Sequence, residues 1–272
     1  MTRHEPEPAR SPADAAQPDT GGRAGPGERE RIKAHFMAER GYWRPWTEAL
    51  LVHNPAFLER YASYAGHPAR HGPLSERMVE LIYVALDASA THLFGAGLRT
   101  HMERALAVGA TPADIFDVLH LVTAQGLDAV CQSVDILASE AGWQAARIET
   151  AGESTPVSQP RERARRLLPG RNAAIDHLAV ADPGYLEAML DFLEQGRPGT
   201  GLAPVERAIV ETALHACFTG FDPAALRSAV RGALDLGASD RALLQAIQLG
   251  AHLAVHGAAL GAGTFDALVE RR

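Results

Sequence analysis

The sequence predicts an all-α protein built from two tandem helical repeats. Apolar residues recur at the three- and four-residue spacing of amphipathic helices, and no convincing alternating strand pattern occurs. The chain also resembles itself at an offset of 128 residues, from Asn54-Pro55 to Asp182-Pro183 and from Gly109-Ala110 to Gly237-Ala238. A fixed offset over such a length indicates a duplicated structural unit. We therefore expect two similar helical units that pack on one another as a pseudo-dimer.

The predicted helices of the first copy follow in order along the chain. A short helix covers 30–39, and a helix that Asn54 caps ends near Gly66. Ser75 opens the next helix, and another runs from about 98 to the terminal Gly109. Thr111 then caps a helix that continues to about 137, and Ser239 has the same place in the second copy. The core face predicted for this helix consists of Ile115, Phe116, Leu119 and Val122.

Composition divides the chain into four segments. Residues 1–28 are rich in proline, glycine and charge, which predicts a disordered tail. The first helical repeat, expected to be the active copy, covers 29–149, and the second repeat, expected to be a degenerate copy, covers 163–272. Residues 150–162 contain Gly, Ser, Thr and two prolines and are typical of a linker.

Bulk properties exclude several classes of function. The net charge of −7 argues against nucleic acid as a partner, and no apolar run approaches the roughly 18 residues of a membrane span. No signal-peptide hydrophobic region precedes the repeats, and two cysteines in different copies do not form a disulfide framework. We therefore expect a cytoplasmic protein. Nucleotide-binding glycine loops and the GxSxG hydrolase elbow are also absent from the sequence.

The candidate chemistry belongs to the first copy alone. His101, Glu80 and His92 correspond to Ala229, Ala208 and Gly220 in the second copy. His101 shares a helical side with apolar residues and is expected to point inward. A buried structural histidine is the alternative interpretation. Since the second copy has alanine at this position, the fold does not require histidine there, and function is the better explanation.

Tyr83 and Asp87 join Glu80 and His92 as polar candidates of the first copy. Glu80, Tyr83 and Asp87 share one face of a predicted helix, where two acids and a phenol could orient a substrate or raise a carboxyl pKa. A solvated helix face is the alternative for Glu80. His92 lies in the break between two helices, where it could contribute to a site or be merely exposed.

The second copy has a polar set of its own, which leaves open whether it keeps a site. His252 and His256 are four residues apart and could together bind a metal. No HExxH pattern surrounds them and no third ligand is obvious, so core or subunit-contact roles are favoured and no metal is predicted. The set consists of Glu211, His215, His252 and His256.

The first copy resembles a known family. The resemblance rests on Leu74-Ser75-Glu76-Arg77, Glu80-Leu81-Ile82-Tyr83-Val84-Ala85, Asp87-Ala88, Thr91-His92-Leu93-Phe94, His101 and Gly109-Ala110-Thr111. In these residues the chain is similar to the carboxymuconolactone decarboxylase / alkylhydroperoxidase-D-like family, and more closely to its tandem-repeat members. The likeness covers 40–140 well and 175–265 more weakly. It implies an alkylhydroperoxidase-D-like fold for each repeat.

The resemblance favours the decarboxylase branch of the family over its peroxidase branch. The peroxidase branch has a CxxC pair seven and four residues before the histidine that matches His101, and Phe94 and Gly97 occupy those positions here. Because disulfide exchange needs a resolving thiol, thiol peroxidase activity is not expected. The decarboxylase branch lacks CxxC but keeps the histidine. Asp128 stands where close tandem members have histidine, which is a departure from their pattern.

The resemblance implies a cofactor-independent lyase that decarboxylates or isomerises a small lactone or keto acid. His101 is then the proton donor or shuttle, and Glu80 and His92 orient it and the substrate. Asp128 is expected to contact the substrate or tune His101, with Tyr83, Asp87 and Trp43 as further substrate-binding residues. Single-copy relatives form subunit pairs, which implies a homo-oligomer here, a dimer or a trimer.

Two other functions stay open at this point. The chain could be a catalytically silent family member that binds a small ligand or a protein partner, as the missing CxxC and the altered Asp128 indicate. It could also be a tailoring enzyme of secondary metabolism with a larger hydrophobic substrate.

Overall fold

The computed structural model describes residues 25–143 and 158–269, and within these ranges the chain forms helices joined by turns and short loops. The all-α prediction is confirmed. A 3₁₀ turn, His252–Ala254, precedes the last helix. The α-helices in chain order are α1 (Pro26–Arg40), α2 (Pro45–His53), α3 (Pro55–Arg70), α4 (Glu76–Ala88), α5 (Gly95–Ala107), α6 (Pro112–Glu140), α7 (Ser158–Leu167), α8 (Asn172–Ala181), α9 (Pro183–Gln195), α10 (Pro204–Ala216), α11 (Pro223–Asp235), α12 (Asp240–Ala251) and α13 (Val255–Val269).

The predicted capping residues begin their helices. Ser75 and Ser239 each accept a hydrogen bond from the amide three residues later, at the starts of α4 and α12. Thr111 begins α6 and exchanges hydrogen bonds with Asp114, so that each side chain accepts from the other residue's amide. These side chains satisfy amides that the first helical turn leaves unpaired.

Helix bounds also follow the 128-residue offset of the sequence. α4 and α10 begin at 76 and 204 and end at 88 and 216, while α5 and α11 begin at 95 and 223 and end at 107 and 235. Gly109 and Gly237, just beyond α5 and α11, have φ angles of 93° and 90°, which favour glycine. The aligned segments therefore share their local structure, and the duplication itself stays a prediction from the sequence.

The chain divides by its internal contacts into two compact units. The described part of the smaller unit comprises residues 25–63 and 256–269. There the fully buried ring of Phe36 packs against four other aromatic rings, those of Tyr42, Trp43, Trp46 and Tyr61. Because a buried aromatic side chain removes a large apolar area from water, this cluster holds α1, α2 and α3 together.

The larger unit, residues 64–255, has a core that both predicted copies share. α4 packs against α5, α6, α10 and α12, and α10 packs against α11 and α12. Arg77 of α4 forms ion pairs with Asp114 of α6 at 2.7 Å and with Glu206 of α10 at 2.6 Å. Fully buried residues of this core include Leu81, Ile82, Leu86, Leu214 and Leu249.

Several predicted bounds were wrong. α3 continues through Gly66 to Arg70, because one glycine inside a helix costs only about 1 kcal/mol. α5 begins at Gly95, three residues before its predicted start. α1 begins at Pro26, within the predicted tail, since proline suits a first helical turn. Residues 1–24 of that tail lie outside the described residues. α7 begins at Ser158, within the predicted linker, and residues 150–157 of the linker also lie outside.

The predicted core face of α6 was wrong at one position. Phe116 is 64% exposed, whereas Ile115, Val118 and Leu121 are buried. The buried face also contains Asp117, which is not exposed at all. The prediction thus placed the apolar Phe116 in the core where the fold buries its charged neighbour Asp117.

One apolar stretch, Asp240–Val269, is long and apolar enough to cross a membrane by length and composition alone. It is divided among α12, the 3₁₀ turn and α13. Half of its most apolar part is buried in the fold, as in the core helices of many proteins.

Candidate active site

A buried hydrogen bond joins the two foremost sequence candidates. Nδ1 of His101 on α5 lies 2.6 Å from Oε2 of Glu80 on α4, and both side chains are less than a tenth exposed. The prediction that His101 points inward is confirmed. The second carboxylate oxygen, Oε1, lies 3.1 Å from a guanidinium nitrogen of Arg104, one turn after His101. Arg104, Glu80 and His101 therefore form a continuous polar chain.

Two small residues of α5 allow its close approach to α4. A Cβ atom at Gly97 would overlap the carboxylate of Asp87, and Ala105 is fully buried. Glycine is favoured where another element approaches the backbone this closely. The local sequence thus sets the distance at which His101 meets Glu80.

An aromatic ring packs against the imidazole of His101. The Tyr83 ring, one turn after Glu80 on α4, lies 4.5 Å from the His101 ring between centroids and is tilted by 34°. Tyr83 also contacts His252, whose ring meets it edge-on at 5.2 Å. The structure thus brings Glu80, Tyr83 and His101 together, and it adds His252 from the second predicted repeat.

His92 and Asp87 form a separate pair at the end of α4. Nε2 of His92 lies 3.7 Å from Oδ1 of Asp87, and the Phe94 amide donates to the Asp87 carbonyl at 2.9 Å. Burial lowers the pKa of His92, which favours its neutral form. The contact with Asp87 orients His92, while its predicted action on His101 stays a prediction.

Trp43 belongs to the smaller unit and is described within it. Its indole nitrogen donates to Glu48 at 3.0 Å, its ring meets Phe36 edge-on, and the Lys33 ammonium lies 4.9 Å from the ring centre. These contacts account for its position in the aromatic cluster. Its predicted role in substrate binding stays a prediction.

Asp128 lies among residues of the second predicted repeat. It accepts a hydrogen bond from Arg171 at 2.8 Å, and its Oδ2 lies 3.6 Å from Nε2 of His215. Arg171 also donates to Asp222 at 3.2 Å. These contacts account for the position of Asp128, and its predicted roles, contacting the substrate or tuning His101, stay predictions.

A cavity of about 300 Å³ opens beside Asp128 in the larger unit. Residues of α6, α10 and α11 and of the turn before α8 line it. Charged side chains on its wall include Arg197, Arg207 and Glu211. Such a size is at the lower end of the range for small-molecule pockets.

Electrostatics in this cavity differ from those of an exposed surface. Burial raises the pKa of Glu211 and lowers the pKa of His215, so both groups favour their neutral forms. Arg207 forms an ion pair with the fully buried Asp117. Asp117 also accepts a hydrogen bond from the Leu202 amide at 2.9 Å.

The sequence analysis did not identify the arginine beside the His101–Glu80 pair or those that line the cavity. Arg104 follows His101 by three residues and could have been found from that spacing. Arg171 and Arg207 gave no comparable signal, because their partners Asp128 and Asp117 are 43 and 90 residues away in the chain. The cavity also gave no signal, since alanine and glycine on a helix predict packing as readily as open space.

Comparisons with known proteins agree with the fold. The sequence model of the carboxymuconolactone decarboxylase family matches residues 55–139, which include the His101–Glu80 pair. A search of curated proteins finds no significant match. The chain is similar to a crystal structure of a "putative gamma-carboxymuconolactone decarboxylase subunit" from Burkholderia xenovorans LB400, with 26% sequence identity and a TM-score of 0.76. The alignment covers 89% of this chain and 98% of that one. The match over 55–139 and this shared fold support the resemblance to the carboxymuconolactone decarboxylase / alkylhydroperoxidase-D-like family.

Proposed function

We propose that the chain is a cofactor-independent lyase or isomerase of a small lactone acid or keto acid, with His101 as the proton-transferring residue. The observation that carries the proposal is the buried hydrogen bond between His101 and Glu80. The match of residues 55–139 to the carboxymuconolactone decarboxylase family model supports decarboxylation as the reaction.

The reaction needs one proton donor. The bond between the carboxylate carbon and its neighbour breaks, CO₂ leaves, and the electron pair stays on the substrate as an enolate or dienolate. A proton must then be added to the carbon that lost CO₂. With Nδ1 of His101 held by Glu80, Nε2 is the atom that delivers this proton, and water reprotonates the ring. In an isomerisation the same ring first removes a proton and then returns it.

Glu80 acts as a positioning residue. A carboxylate at Nδ1 fixes the ring tautomer and stabilises the imidazolium form. Arg104, 3.1 Å from the other carboxylate oxygen, holds the Glu80 carboxylate in place. The Tyr83 ring against the imidazole limits its rotation. Asp87 and His92 form the pair that would orient the substrate at the end of α4.

Steady-state assays with a panel of small lactone acids and β-keto acids test this proposal. Release of CO₂ and loss of substrate absorbance are measured for wild type and for His101→Ala. We expect a loss of about 10²–10⁴-fold in kcat, the usual contribution of a general acid or base. The matched control is His120→Ala, because His120 is equally buried but donates to the Phe192 carbonyl on α9.

The outcomes separate the role of His101 from its effect on folding. Equal thermal stability of the two variants, with activity lost only in His101→Ala, supports proton transfer. Full turnover in His101→Ala would overturn the assignment. A wild-type protein that binds these acids without forming product would be the silent family member.

A further inference from the structure

The cavity occupies the place in the second repeat that the candidate site occupies in the first. Ala208, Ala229 and Gly232 line it, and they correspond through the 128-residue offset to Glu80, His101 and Arg104. The helices that carry them, α10 and α11, have the same bounds as α4 and α5 at this offset. Each large polar side chain of the first repeat is thus replaced by a methyl group or by hydrogen. The replacement leaves open space where the first repeat has a hydrogen-bonded chain.

Two polar residues of α10 also line the cavity. Glu211 and His215 line it and correspond to Tyr83 and Asp87. Within the described residues, the carboxyl group of Glu211 has no side-chain hydrogen bond or ion pair. The Glu211 side chain is half-buried at the cavity wall. A ligand in the cavity could supply the hydrogen-bond partner that Glu211 lacks.

The arginines on the wall differ in how many acidic partners they have. Arg171 is matched by Asp128 and Asp222. Arg197 and Arg207, in contrast, share the single carboxylate of Asp117, at 3.6 Å for Arg197 and in direct contact for Arg207. Guanidinium groups with unused N–H donors are the preferred partners of carboxylates.

Much of the remaining wall is apolar, although Gln125 and Ser228 also line it. Leucines from four different elements face the cavity, namely Leu121, Leu193, Leu214 and Leu236. Such a wall holds the hydrocarbon part of a ligand, and the convergent polar groups fix its orientation.

We infer that this cavity is a second site, distinct from the His101 site, that binds a small monocarboxylic acid with an apolar body. The carboxylate lies against Arg197 and Arg207, the protonated Glu211 donates to one of its oxygens, and the apolar body packs on the leucines. A volume of about 300 Å³ limits the ligand to about the size of one substituted ring. The inference does not depend on catalysis by His101.

Calorimetric titration with benzoate tests the site directly, and benzyl alcohol serves as the uncharged analogue. We expect saturable 1:1 binding of benzoate and at least about tenfold weaker binding of the alcohol, since a charge-assisted hydrogen bond is lost. Saturable benzoate binding that survives His101→Ala separates this site from the first one. Absence of saturable benzoate binding to the wild type would overturn the inference.

Variants at Gly232 locate the ligand. A Cβ atom at this position would meet open space, so Gly232→Leu fills the cavity without disturbing the helix. Gly232→Ala is the matched control, because it also removes a helical glycine but adds a single methyl group. Binding that is lost in Gly232→Leu and kept in Gly232→Ala supports the site. Binding that persists in both would place benzoate elsewhere and overturn it.

Variants at Glu211 test the hydrogen bond. Glu211→Gln keeps a neutral donor and should keep benzoate binding at neutral pH, whereas Glu211→Leu should weaken it by about tenfold or more. Far-ultraviolet circular dichroism and thermal unfolding confirm that both variants are folded. Equal affinity in Glu211→Leu and wild type would contradict the contact.

Discussion

Asp117 of α6 is fully buried and forms an ion pair with Arg207 of α10. The pair joins a helix of the first predicted repeat to a helix of the second. Its other oxygen accepts from the Leu202 amide, so both oxygens of Asp117 are hydrogen-bonded. The pair also sets the position of one guanidinium group at the cavity wall.

Removal of one partner should therefore be strongly destabilising. Asp117→Asn leaves the Arg207 guanidinium buried without its counter-charge, and we expect a loss of about 3–5 kcal/mol in the free energy of unfolding. Urea unfolding followed by circular dichroism measures this loss. The control is Asp191→Asn, because Asp191 is about half exposed in its ion pair with Arg163, and ion pairs near the surface contribute little to stability. Similar losses in the two variants would contradict the importance of burial.

Glu80→Gln should separate positioning from substrate binding. The amide keeps the shape of the carboxylate but no longer stabilises a positive charge on His101. We expect kcat to fall about 10–100-fold, which is the rate equivalent of one hydrogen bond to a charged group, with a smaller change in KM. The pH profile of kcat should also change, which a purely structural role would not cause.

The control for Glu80 is Glu103→Gln on α5, where Glu103 is exposed and lies 3.4 Å from Arg99. This variant should match the wild type in kcat, KM and pH profile. An unchanged pH profile in Glu80→Gln, with kcat lowered only as far as stability is lowered, would show that Glu80 is merely structural.

Glu211 predicts a pH-dependent stability. Burial raises its pKa in the folded state, so the folded protein binds this proton more tightly than the unfolded chain. The contribution of Glu211 favours folding below the ordinary glutamate pKa and is lost as the pH rises through the raised folded value. Glu211→Gln removes the titration and should stabilise the protein at pH 8 by roughly 1–3 kcal/mol, with little effect at pH 4.

Urea unfolding of wild type and Glu211→Gln at the two pH values measures this difference. Glu187→Gln is the control, since Glu187 of α9 is exposed and its substitution should have almost no effect at either pH. A stabilisation by Glu211→Gln that is the same at pH 4 and pH 8 would rule out the titration as its cause.

Cys131 should be unreactive in the folded protein. It is fully buried on α6, and burial raises its pKa to about 11, so the reactive thiolate is scarce near neutral pH. We expect iodoacetamide at pH 8 to leave Cys131 unmodified in the native protein and to modify it fully in guanidinium chloride. Peptide mass spectrometry measures both states. Rapid native labelling would reopen thiol chemistry for this chain.

The sequence was a good guide wherever one residue determines the local structure. Ser75, Thr111 and Ser239 cap helices as predicted, because capping needs only the residue and its next turn. The inward position of His101 followed from helical periodicity alone. The sequence predicted that Glu80 orients His101, but it could not give the 2.6 Å distance between the two side chains.

Features that depend on distant residues could not be predicted. The predicted core face of α6 included the apolar Phe116 and not the charged Asp117. Asp117 is buried because it pairs with Arg207, which is 90 positions away in the chain. Ala229 and Gly232 gave no sign of a cavity, because small residues border open space only when no neighbouring side chain fills it. The partners of Asp128 likewise come from elements that the chain brings together only on folding.

The core of the larger unit is made of residues from both predicted repeats, which couples their folding. α4 and α10 lie against each other, and Gln245 of α12 donates to the Pro68 carbonyl and accepts from the Leu74 amide. Neither predicted repeat can therefore exclude solvent from its helices without the other. The two halves should melt in one cooperative transition, and separately expressed halves should gain native structure only when they are mixed.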